Sequence, residues 1–254
     1  MIEATGLKRI FSKTRAASSS DRYWFPGRWL GGTSLIFGPL LLLAGVLLRS
    51  QFHFFFPQQL TAFRDHPALI GWSYSCFLAG NILMWPAIAT LARLIGSSHP
   101  RWATWGGSLV IFGLFARTFH AGVDHLAFQL VRINGLDSAT RTVANSYGAF
   151  HVVSGLTVCI LIGWIVLAIG AYVSGTLGVV RAVSLGLMSA LMIGVLKGSS
   201  FSSVIAMSGL CIALVPLGIT VLRMEPKPGW RQFVDWFAFI ALLAAVMFYI
   251  GQLG

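Results

Sequence analysis

Apolar residues in this chain come in long, nearly unbroken runs rather than in the spaced stripe of a surface helix. Crossing the hydrocarbon core of a bilayer takes about 20 mostly apolar residues. Seven stretches meet that need: 29–48, 68–95, 102–131, 147–173, 177–196, 201–222 and 233–253. Arg49 stops the first and Lys197 the fifth, and Pro86 predicts a kink in the second. Only Lys197-Gly198-Ser199-Ser200 separates the fifth from the sixth. The pattern predicts an all-α polytopic integral membrane protein. About seven transmembrane helices form one bundle over residues 29–254, behind a basic tail at residues 1–28.

Composition agrees. Of 254 residues, 56% are hydrophobic and 10% charged, with a mean hydropathy of +0.79. Soluble domains carry about 25% charged residues, so a soluble enzyme, a disordered tail and a coiled coil are excluded. The net charge of +11 would suggest nucleic acid in a soluble chain. Here it orients the spans, because Lys and Arg collect in cytoplasmic loops. With the N-terminus cytoplasmic, the inner segments hold twelve: Lys8, Arg9, Lys13, Arg15, Arg22, Arg28, Arg93, Arg101, Arg181, Arg223, Lys227 and Arg231. The outer segments hold Arg49, Arg64, Arg132, Arg141 and Lys197, and Arg117 falls inside a span. The expectation is a multi-pass protein of the cell membrane, with no nucleic-acid partner. Its tail lies against anionic headgroups, each charge contributing about 1 kcal/mol. Cys76, Cys159 and Cys211 all fall in apolar runs and read as free, buried thiols.

Ionisable residues within a span cost about 2.5–3.5 kcal/mol each at the centre, so they mark candidate sites. The third run contains Arg117, His120, Asp124 and His125. At about 3.6 residues per turn the first three share an arc of about 60°, and His120 and Asp124 stand at i, i+4, where side chains meet. His125 faces a different neighbour. His125 and His151 each lie about 13 Å from the centre of their run toward the outer face, so adjacent spans bring them level. The outer loop adds His53 and His66, and only His99 of the six histidines is on the inner side. Within that loop Pro57 is placed to open a short helix. Leu60 and Phe63 would face the membrane, and Asp65-His66 would turn inward as part of a lid.

Three uses of this cluster stay open. His120, Asp124, His125, His151 and His66 offer imidazoles and a carboxylate that suit a divalent transition metal, namely zinc, nickel, copper or iron, for binding or transport. A non-catalytic accessory, immunity or permease component would use the same residues as polar packing between helices. A membrane redox protein would hold haem between His151 and either His125 or His120. Locally, His120 with Gly122-Val123-Asp124-His125-Leu126 resembles the His-Asp-His signature of nickel and cobalt permeases and of hydrogenase and urease accessory membrane proteins. That likeness implies a nickel-type ligand set, though those families space the first histidine further from the Asp-His pair. It covers about six residues. No nucleophile elbow, phosphate loop or H-E-x-x-H accompanies the cluster.

Overall fold

The structure is a computed structural model that describes residues 24–146, 152–191, 194–224 and 230–252. The described residues are helical or irregular, with no strand among them. The helices are α1 (Arg28–Leu48), α2 (Gln58–Asp65), α3 (Pro67–Gly96), α4 (Pro100–Asn134), α5 (Leu136–Ser146), α6 (Val152–Val173), α7 (Val179–Gly186), α8 (Phe201–Leu222) and α9 (Trp230–Gln252). By length and composition, α1, α3, α4, α6 and α8 are fit to cross a membrane. The chain is therefore an all-α multi-pass membrane protein.

Residues up to Leu222 form one compact unit. Within it each long helix packs on its neighbours in a ring: α1 on α3, α3 on α4, α4 on α6, α6 on α7, α7 on α8, and α8 back on α1. The exterior of this unit is apolar, with Phe112 51% and Phe115 55% exposed. Ser34, Ser73, Asn81, Thr90, Arg117 and Asp124 are buried. That inversion is what lipid as a solvent selects, since polar groups in hydrocarbon must find partners inside the bundle. The second unit, residues 223–254, contains α9, whose segment Phe237–Ile250 is apolar.

Close packing in the ring rests on glycine. A Cβ on Gly106 would sit 2.8 Å from Leu167 Cα, and one on Gly163 would sit 2.7 Å from the Val110 nitrogen. These glycines thus form a notch that lets α4 and α6 backbones touch, as lipid-embedded helices without a hydrophobic drive require. Gly45 meets α3 in the same way, and there Ser73 Oγ donates to its carbonyl at 2.6 Å.

The fifth apolar run departs from expectation. It is not one helix: α7 ends at Gly186, a 3-10 turn covers Leu187–Ala190, and residues 194–200 are irregular. The helical part rises about 20 Å, short of the roughly 30 Å hydrocarbon core. The series Gly186, Ala190, Gly194 therefore does not form a helix-packing stripe, because the helix stops within it. Glycine and serine are poor helix formers, and this stretch is rich in both. Irregular backbone at membrane depth is tolerated where it is buried in protein or lines a cavity, and here it does both.

The residues that precede α3 form a cap. Pro57 stands just before α2, as expected. Leu60 and Phe63 do not face lipid, however. They are buried in a cluster with Phe128, Val131, Ala139, Val143 and Leu196, and Phe63 stacks on Phe128 at 4.5 Å. Gly135, at φ 78, lets the chain turn directly from α4 into α5, whose Ala139 and Val143 close the far side of that cluster.

Candidate functional site

Where α7 stops short, a cavity opens at the capped end of the ring. It is lined by Arg49, Tyr74, Arg117, His120, Asp124 and Lys197, among others. The expected arc is present: Arg117, His120 and Asp124 project from α4 into this one space. Its volume is about 50 Å³, against roughly 10–15 Å³ for one water. One carboxylate-sized group or a few waters fill it.

Two arginines dominate. Arg117 is 8% exposed and Arg49 is 4% exposed. Arg49 follows the last turn of α1, and its guanidinium lies over the rings of Tyr74 and Phe77 at 4.6 and 4.7 Å. Nε and Nη1 of Arg49, and Nε and Nη2 of Arg117, are buried without a hydrogen-bond partner among the described residues. Buried charge without a counter-ion costs several kcal/mol per ion, and for Arg49 the two rings beneath the guanidinium offset part of that cost.

Asp124 is the single acidic residue of the lining. Its carboxylate accepts the backbone N–H of Leu196 at 2.5 Å. Leu196 has φ 51, a left-handed conformation that a branched side chain seldom adopts. The carboxylate thus pins the irregular segment in place. Three further bonds tie it down: Gly198 N–H donates to the Phe54 carbonyl at 2.8 Å, and Ser199 Oγ donates to the Val46 carbonyl at 2.7 Å. The Tyr74 hydroxyl lies 3.1 Å from Gln59 Oε1 and 3.2 Å from the Lys197 carbonyl, sharing its proton. Asn81 is a packing residue, as its position suggests, donating to the Leu114 carbonyl and Thr118 Oγ1 across the α3–α4 contact.

The remaining candidate ligands go elsewhere. His125 lines a separate groove on the α3–α4 face, beside Trp72, Gln129 and Arg132. His66 is exposed, with its ring 5.5 Å from that of Phe52. Asp65 does not turn inward: it pairs with Arg64 at 2.8 Å on the surface, a contact that holds its carboxyl below the ordinary range. His151, through which both haem pairings run, lies outside the described residues. Among the described residues no group of three or more His, Cys, Asp or Glu is arranged to hold a metal ion.

Arg49, Tyr74 and Lys197 were not expected here. In the sequence Arg49 and Lys197 serve only to end apolar runs, and nothing local marks a helix-terminating charge as turned inward. Gln59, fully buried and tied to the His53 carbonyl, is likewise silent in the sequence. Comparison with known protein families, characterised proteins and solved structures finds no match.

Proposed function

We propose that this membrane protein binds a small anionic group, a carboxylate or a phosphate ester, in the arginine-lined cavity. The observation that carries the proposal is the pair of buried guanidinium groups, Arg49 and Arg117, with unpartnered N–H groups at one cavity. Guanidinium forks match carboxylate and phosphate oxygens in geometry as well as charge. Arg49 and Arg117 thus set two cations against Asp124, whose carboxylate is already engaged by Leu196, while the Lys197 ammonium lies over the Phe54 and Phe55 rings at 5.5 Å. The same charge disfavours a divalent metal there, although His120 and Asp124 supply two ligands of suitable type. A discontinuous element beside a charged pocket also resembles how membrane carriers build ion and substrate sites.

Titration calorimetry of the purified protein in lipid nanodiscs tests this, with acetate, inorganic phosphate, zinc and nickel as titrants. Saturable anion binding that falls at least tenfold in Arg117→Gln and in Arg49→Gln is the expected result. Binding of zinc or nickel with no anion binding would reinstate the metal reading and remove this one.

A further inference from the structure

The cavity shares a wall with a second, larger space. Tyr74 and Ala121 line both the arginine cavity and the groove on the α3–α4 face. That groove measures about 700 Å³, within the roughly 300–1,000 Å³ usual for sites that take a whole small molecule. Its walls include Phe63, Trp72, Leu78, Phe128 and Val131. Trp72 is 69% exposed on the surface of the ring that faces lipid. A small polar space with two buried guanidinium groups therefore adjoins a larger open one, whose lining combines those apolar side chains with Arg64, His125, Gln129 and Arg132.

We infer that the ligand is a single-chain anionic amphiphile. Its carboxylate or phosphate sits between Arg49 and Arg117, and its hydrocarbon chain lies in the groove beside Trp72 and Phe128. This rests on the anion reading above and extends it. Charge complementarity selects the sign of the head, and the volume of about 50 Å³ restricts its size. Two-chain lipids with bulky headgroups do not fit such a head pocket. An amphiphile already dissolved in the bilayer reaches the groove sideways, without crossing water. Tyr74, held by Gln59 and the Lys197 carbonyl, stands where head and chain meet.

The substitutions that separate head from chain are available in the fold. Gly71 lines the groove, and a Cβ built on it meets nothing within 4 Å. Gly71→Trp fills the groove without a first-atom clash, and Ser75→Trp, at an exposed groove position, does so from the next turn. The full-length protein in nanodiscs is photolysed with a hexadecanoate carrying a diazirine near its chain end, and the labelled peptides are mapped. Acetate binding to the wild type is measured in parallel. The inference expects labels concentrated in residues 68–78 and 121–132. They should fall at least tenfold in Arg117→Gln and in both tryptophan variants. Acetate bound by the wild type, with labels spread evenly over the lipid-facing helices or unchanged in both tryptophan variants, overturns the amphiphile while leaving the anion site. Neither acetate nor probe bound removes both.

Discussion

Asp124 is the residue at which fold and site meet, and replacing it separates its two roles. Its carboxylate accepts the Leu196 N–H at 2.5 Å and is 7% exposed. A buried hydrogen bond to a charged group contributes about 1.5–3 kcal/mol, and an orphaned buried N–H costs about 1–3 kcal/mol. In Asp124→Leu the segment at 194–200 either keeps its shape and bears that cost, or relaxes. Relaxation recovers about 1–2 kcal/mol of left-handed strain at Leu196, but gives up the cavity wall. With the segment in place the net loss is about 2 kcal/mol or more; relaxation trims it by that strain and shows instead as faster exchange at 194–200. Asp124→Asn keeps a carbonyl acceptor and loses only the charge, so it costs about 1 kcal/mol. Unfolding of the micelle-solubilised protein by a denaturing detergent, followed by tryptophan fluorescence, ranks the three. The expected order of stability is wild type, Asp124→Asn, Asp124→Leu. Hydrogen exchange at 194–200 should rise in the same order. The site responds oppositely: removing the lining's one carboxylate strengthens anion binding in Asp124→Asn by well over tenfold, since like charges about 4–8 Å apart repel by about 2–4 kcal/mol at an effective dielectric near 20. An Asp124→Leu protein as stable as wild type, with unchanged exchange at 194–200, would refute the pinning role.

Gly113→Leu and Gly163→Leu each force side-chain atoms into the α4–α6 contact. Each should abolish folding into a monodisperse micelle-bound species, as read by size-exclusion chromatography, whereas Gly122→Ala, with nothing within 4 Å of its Cβ, should be tolerated. Phe63→Ala removes the ring stacked on Phe128 and should cost about 3–5 kcal/mol of local packing. Protease cleavage within residues 49–66 of the purified protein should accelerate, and unchanged cleavage would show that the cap is not held by this ring. The charge split predicts a cytoplasmic position for residues 97–99. Cysteine at Ser97 should therefore react with an impermeant maleimide only after permeabilisation, and cysteine at Ser50 before it; the reverse pattern would invert the topology.

The membrane fold was legible because lipid demands long apolar runs, and five of the seven runs fold as such helices. The arc of Arg117, His120 and Asp124 was legible for a related reason, since helical periodicity alone puts them on one face. The break in the fifth run was not. Hydropathy counts Gly186, Gly194 and their apolar neighbours as span, while the backbone conformation depends on the Asp124 carboxylate, 72 positions away, accepting the Leu196 N–H. Arg49 escaped notice because its sequence context is that of any charge ending a span. Its inward turn comes from the aromatic faces of Tyr74 and Phe77 on another helix. His125 and His66 looked convergent from depth alone; depth fixes height in the membrane but not direction around the helix.

The most direct test of the central claim is to locate the anion. Crystals of the protein grown with bromide or selenate, and measured at the absorption edge of bromine or selenium, give an anomalous map of the cavity. A peak within about 3–3.5 Å of the guanidinium groups of both Arg49 and Arg117, absent in Arg117→Gln, is the expected result. A cavity without anion density, or one holding a metal on His120 and Asp124, would contradict it.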